Sequence, residues 1–137
     1  MARHWVLKTE PSTYGFPDLV RERRTRWEGV SNAVALKHLR SMLEGDDALI
    51  YHTGNEKSLV GLARIASAPY PDPAQKDERL VVVDVEAGKP LPRPVSLAEI
   101  KADPAFRDLG LVRLSRLSVV PVEPDQWKRL LAMAGAA

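Results

Sequence analysis

The sequence predicts an α+β domain, a small twisted or barrel-like sheet with short helices on its outside. Three observations lead there. Roughly five or six short apolar runs, bounded by glycine, proline, asparagine or aspartate, read as strands. A few short stretches carry apolar residues at helical spacing. Neither a clear parallel strand–helix–strand alternation nor a long periodic helix is present. The length of 137 residues suits a single domain, expected over 1–137, with enough chain for a real core.

Taken in order, the first strand is expected from Arg3 to Lys8, ended by Pro11, which forces Glu10 into extended backbone. Lys8 and Glu10 then share one face at the strand's end, as a surface ion pair or as donor and acceptor at a pocket mouth. Ser12 to Glu22 reads as a turn and a short helix, with Leu19 and Val20 its apolar face. Arg21 to Arg26 holds four arginines in six positions, an exposed basic edge that is either a solvated surface or a nucleic-acid groove. Ser31 to Leu43 is a helix, striped by Ala35, Leu36, Leu39, Met42 and Leu43 and stopped by Gly45. His38 lies off that stripe and reads as a surface residue. Ala48 to Tyr51 begins a buried strand that runs into Tyr51-His52-Thr53-Gly54, and Leu59 to Ala68 follows with a bend or bulge at Gly61. Pro69 to Pro73 is a rigid crossing. Leu80 to Val85 is a buried strand, and Lys89 to Pro94 a proline-rich edge. Ser96 with Glu99 forms a capping box. Leu111 to Val122 is expected as one extended segment, with Arg113 and Ser115 on one face and Leu114, Arg116 and Ser118 on the other. The last helix covers Pro124 to Ala134, with Trp127 in its apolar stripe, and 134–137 reads as a frayed end.

Composition excludes several classes. No cysteine is present, so disulfides, thiolate metal sites and cysteine nucleophiles are ruled out. Net charge is +2 and the sequence pI ≈ 9.0, a mild basic bias that permits nucleic-acid contact without demanding it. No apolar run approaches membrane-spanning length and no signal-peptide core opens the chain, so a cytoplasmic protein with no membrane partner is expected. No Walker loop, Gly-x-Ser-x-Gly elbow, Gly-x-Gly-x-x-Gly turn or metal-spaced histidine pair is present, so no metal, cofactor or catalytic role is assigned. A small nucleotide- or nucleic-acid-acting enzyme built on Lys8, Glu10, His52, Ser115 and Ser118 is the rival class, and a small-molecule sensor is a third.

The most distinctive stretch is Trp27-Glu28-Gly29-Val30-Ser31-Asn32. It sets an aromatic, an acid, a glycine and an amide at the mouth of a helix. Those groups suit a flat, polar-edged guest such as a nucleobase. They equally suit a helix start capped by Ser31 or Asn32 with Trp27 as a lid on the core.

That stretch, together with Trp5-Val6-Leu7-Lys8-Thr9-Glu10-Pro11, Gly45-Asp46 leading to Tyr51-His52-Thr53, Val60-Gly61-Leu62-Ala63, Tyr70-Pro71-Asp72, Arg93-Pro94-Val95-Ser96-Leu97 and Arg116-Leu117-Ser118-Val119, resembles the EVE domain family in order and spacing. The resemblance covers nearly the whole chain. It implies a PUA-like fold, a small open β-barrel flanked by short helices, similar to the YTH and ASCH groups. It also implies a non-catalytic reader that holds a modified base flipped out of DNA or RNA, a modified cytosine such as 5-methyl- or 5-hydroxymethylcytosine. On that resemblance Trp27 would stack, and Asn32 and Glu10 would read the base edge. Gly29 and Val30 would bring backbone close, and Tyr14, Tyr51 and His52 would form walls. Lys8, Arg113, Arg116 and Ser118 would meet polar groups or phosphate, and Val30 and Leu117 would shape a recess for the 5-substituent. The chain departs from the family pattern at Ala33, where an aromatic is usual, and at Thr53, where serine is usual.

Overall fold

The computed structural model describes residues 3–136. Three buried residues in a row, Trp5, Val6 and Leu7, make β1 (His4–Thr9) a strand covered on both faces. It lies between β3 (Asp47–His52), which it pairs in parallel, and β7 (Val119–Val122), which it pairs antiparallel. Antiparallel pairing continues from β3 to β4 (Ser58–Ile65), then to the long β6 (Val81–Ser96) and to β2 (Arg24–Trp27). The order is β2-β6-β4-β3-β1-β7, with a short β5 (Tyr70–Pro71) beside β6. Among the described residues this is a mixed seven-stranded sheet that does not close into a barrel. That is the α+β architecture the sequence predicts.

The helices cover the sheet. Gly15 precedes α1 (Phe16–Glu22), where Pro17 fits the first turn and the Asp18 carboxylate accepts from the Gly15 N–H at 2.7 Å. The Phe16 ring lies over β4 at Gly61, where an added Cβ would sit 2.3 Å from the ring. Only glycine leaves room for that ring. α2 (Ala33–Ser41) buries Ala35, Leu36 and Leu39 and is capped by Asn32, whose Oδ1 accepts from the N–H groups of Val34 and Ala35. The expected capping box at Ser96 and Glu99 opens α3 (Leu97–Lys101). α5 (Pro124–Met133) buries Trp127 and Leu130. It ends in a Schellman arrangement: Ala136 N–H donates to the Leu131 carbonyl and Gly135 N–H to that of Ala132. The expected fraying of 134–137 is therefore corrected for Ala134, which is fully buried, and Ala136; Ala137 lies outside the described residues.

Asp46 ties three segments together. Its buried carboxylate accepts from Arg3 N–H, Trp5 Nε1–H and Leu43 N–H at 2.9–3.0 Å. A buried carboxylate is tolerable because three donors replace its water.

Three expectations are corrected. Leu111 to Val122 is not one strand: α4 (Gly110–Arg113) and a turn precede β7. Leu111, Leu114 and Leu117 recur every third residue, a spacing that serves a helical turn, and Leu111 and Leu117 take it inward. Arg113 and Arg116 are therefore exposed and need no buried partner. The Arg21–Arg26 edge contains a strand, β2, and most of its arginines are already paired: Arg21 with Asp18, Arg24 with Asp84 and Glu86, Arg26 with Glu28. The proline-rich segment 89–94 is the second half of β6 and not a separate edge piece. Pro90, Pro92 and Pro94 all lie exposed while Leu91 and Val95 turn inward, and pairing with β4 shifts register around Gly61.

Candidate functional site

The parallel pair β1 and β3 end side by side, with Lys8 opposite Tyr51 and Thr9 opposite His52. The carboxyl ends of parallel strands collect loops, and Lys8, Glu10, Tyr51 and His52 gather there.

His52 is buried and fully committed. Its Nε2 accepts from Phe16 N–H at 2.9 Å, so Nδ1 carries the proton that faces Glu56 Oε1 at 3.0 Å. The ring anchors the start of α1 to the end of β3. Glu10 belongs to a neighbouring surface knot, accepting from Ser12 N–H, Ser12 Oγ–H and Thr53 Oγ1–H. Donation from Ser12 N–H, above all, holds its carboxyl below the usual range.

The aromatic part of the site is a groove of about 470 Å³ beside β2. Thr9, Thr13, Tyr14, Glu22, Thr25, Arg26, Trp27 and Glu28 line it. Tyr14 meets Trp27 edge to face, with centroids 6.4 Å apart and planes at 86°. The Tyr14 hydroxyl donates to Glu22 Oε1 at 2.7 Å. Burial and then that carboxylate push its pKa up to about 12. Arg26 Nε donates to Glu28 Oε2 at 3.1 Å. Thr9 Oγ1 donates to the Tyr14 carbonyl and fixes the loop that carries the ring. Trp27 is 8% exposed and packs into the hydrophobic core, so it shows the groove a margin and not an open face.

A second groove, about 370 Å³, is lined by Asn32, Val34, Arg113, Leu114, Ser115, Arg116 and Leu117. Val34 and Leu114 are among the exposed large apolar side chains. Arg116 has no ion-pair partner among the described residues, and Arg113 has only a long contact to Asp108 at 3.8 Å. Lys8 ties this groove to the sheet: Nζ donates to the Ser115 carbonyl at 3.0 Å, and its backbone N–H to the Ser118 carbonyl. The Lys8 ammonium also sits 5.8 Å above the Tyr51 ring, and burial lowers its pKa.

The expected residues thus divide. Tyr14 and Trp27 share one groove, while Asn32, Arg113, Arg116 and Leu117 share the other. Glu28, Gly29, Val30, Ser31 and Asn32 pass between them. Gly29 has φ +83 with open space around its missing side chain, so the turn requires it and crowding does not. Val30 is partly buried against the core. Tyr51 is buried beneath Lys8. The sequence reading missed Thr9, Thr13, Glu22 and Thr25 as groove residues, and named Arg26 and Glu28 only within the basic run and the Trp27–Asn32 stretch. The available signal was β2 itself: once Arg24–Trp27 is a strand, its neighbours become walls of whatever lies against Trp27.

Known proteins agree with this architecture. Rpa0253 from Rhodopseudomonas palustris, solved by NMR, is 40% identical, covers 98% of this chain and 94% of its own, and superposes with a TM-score of 0.93. Human thymocyte nuclear protein 1 is 26% identical over 97% of this chain and 74% of that protein. The crystal structure of human THYN1 in complex with DNA containing 5-methylcytosine superposes with a TM-score of 0.89, at 26% identity, over 97% of this chain and 98% of that one. An ASCH protein from Zymomonas mobilis, 12% identical with a TM-score of 0.60 over 95% and 94% of the two chains, shares the fold alone. The EVE domain model matches residues 3–133, and the chain belongs to the EVE domain family.

Proposed function

We propose that this protein binds nucleic acid carrying a modified cytosine, 5-methyl- or 5-hydroxymethylcytosine, with the base flipped out of its strand into the groove beside Tyr14 and Trp27. The observation that carries the reading is the human THYN1 structure, the same fold crystallised with 5-methylcytosine DNA. The local chemistry supports it. A groove of about 470 Å³ lies within the range of small-ligand sites. Tyr14 and the margin of Trp27 supply aromatic contact, and hydroxyls and carboxylates surround it to meet a base's polar edge. Arg113 and Arg116, exposed across the Glu28–Asn32 loop, suit flanking phosphates.

The role is binding and not turnover. The one histidine at this end of the sheet, His52, has both ring nitrogens engaged and cannot serve as a free base. Incubation with modified nucleosides should therefore leave them unchanged, and any product would overturn this part of the reading.

Titration of fluorescent oligonucleotides, DNA and RNA, carrying cytosine, 5-methylcytosine or 5-hydroxymethylcytosine at fixed salt tests the reading. Burying one methyl group at about 0.8 kcal/mol gives a preference of roughly fourfold for 5-methylcytosine. Equal affinity for modified and unmodified strands sinks it.

A further inference from the structure

We infer that the nucleic acid is a duplex, and that Leu114 enters it to fill the space the flipped base vacates. The inference rests on the base-binding reading above and adds which form of nucleic acid is bound and how the opened helix is held.

Val20, Val34, Leu43 and Leu114 are the large apolar side chains exposed among the described residues. Exposed singly, such residues are ordinary. Val34 and Leu114 share one groove, whereas Val20 and Leu43 lie in two others. Leu114 is 54% exposed, while Leu111 and Leu117, its partners at three-residue spacing, are buried. The backbone that carries it is braced. Leu114 N–H donates to the Gly110 carbonyl at 2.7 Å, and its own carbonyl accepts from Leu117 N–H at 2.9 Å. Lys8 Nζ holds the next carbonyl, that of Ser115. Thr9, beside Lys8 in the chain, lines the Tyr14–Trp27 groove, so this loop is tied one strand residue away from the proposed base site. No carboxylate lines the Leu114 groove, and Arg113 and Arg116 flank the leucine in it.

Taking a base out of a duplex costs its pairing and its stacking on both sides. An apolar side chain seated in the vacated stack offsets part of that cost, and cations beside it meet the phosphates. A single strand has no paired stack to hold open, so the leucine gains nothing there. A weakened pair lies between the two, because opening it costs less.

The experiment titrates one 5-methylcytosine strand in three forms: alone, paired with guanine in a duplex, and opposite a mismatched adenine. The proteins are the unaltered chain, Leu114→Ala and Leu114→Phe, with folding checked by thermal melting. Leu114→Ala should weaken duplex binding roughly ten- to thirtyfold and the mismatched duplex less. Its affinity for the single strand should change by less than about twofold. Leu114→Phe keeps an apolar wedge and recovers most of the duplex affinity. An equal loss on all three forms overturns the inference, since a merely structural leucine would act on every strand alike. Unchanged affinity on all three overturns it too, and leaves Leu114 as a contact for some other partner. Binding of the single strand but not the duplex by the unaltered chain removes the wedge and leaves the base-binding reading standing. Failure to prefer 5-methylcytosine over cytosine strikes that reading, while a duplex-specific loss in Leu114→Ala still supports the wedge. Absence of binding to every form overturns both.

Discussion

Replacing Trp27 with alanine is the obvious way to probe a stacking residue, and this structure says its main effect will be to destabilise the fold. The indole is 8% exposed, its strand pairs with β6 at Val83, and its ring meets Tyr14 edge to face. Deleting a buried tryptophan side chain costs about 3–5 kcal/mol through lost burial and the cavity left behind. Part of that, about 0.5–1.5 kcal/mol, is the contact with Tyr14. A domain of this kind has roughly 5–15 kcal/mol of stability in all. The variant should lose on the order of 10–20 °C in melting temperature. Chemical denaturation followed by circular dichroism measures it, with Trp27→Phe as the companion that keeps a ring and retains most of the stability. A Trp27→Ala protein that melts like the parent would refute the reasoning. Its indole would then be an open platform and not part of the core.

Other expectations follow from particular contacts. Gly61→Ala drives a Cβ into the Phe16 ring 2.3 Å away and should cost about 1–3 kcal/mol. Phe16→Leu should recover part of that loss in a double-mutant cycle, and strict additivity would contradict the contact. His52→Ala orphans the buried Phe16 N–H, a loss of about 1–3 kcal/mol by denaturant titration, with His52→Gln less harmful because it can still accept. Tyr14 should titrate near pH 12 in the folded protein, against about 10 unfolded, as followed by NMR of its labelled ring. Because folding raises this pKa, the stability it contributes is present below pH 10 and is lost as pH climbs from about 10 to 12. A midpoint at the ordinary value would mean that neither burial nor Glu22 acts on it. Arg113→Ala with Arg116→Ala should weaken binding of modified and unmodified strands alike and flatten the salt dependence by about one unit of slope per arginine. An unchanged slope would place the phosphates elsewhere.

Much of the fold was legible in the chain. Continuous apolar runs at Trp5–Leu7 and Ala48–Tyr51 marked strands, and Ser96 with Glu99 and Pro124 marked helix starts. What failed shares one cause, that local pattern does not reveal partners. Arg24–Trp27 reads as a charged surface because three of its four side chains are polar, yet its backbone completes an edge of the sheet and its arginines find Asp84, Glu86 and Glu28. Leu111–Leu117 fits alternation and three-residue spacing equally, and packing of Leu111 and Leu117 decided for the turn. The site was legible as a neighbourhood and not as a list. Trp27 and Tyr14 do share a groove, with Glu28 from the same distinctive stretch, but Glu22 and the threonines that complete it stand in ordinary surface sequence. Asn32, chosen as a reader of base edges, spends its oxygen capping α2.

The most direct measurement of the base-binding claim is amide chemical-shift mapping of the isotopically labelled protein with a short 5-methylcytosine strand. The account predicts the largest perturbations at Thr13, Tyr14 and Thr25 to Glu28, with smaller ones at Arg113 to Leu117. Perturbations confined to Arg3, His4 and Glu123, at the opposite end of β1, would contradict it.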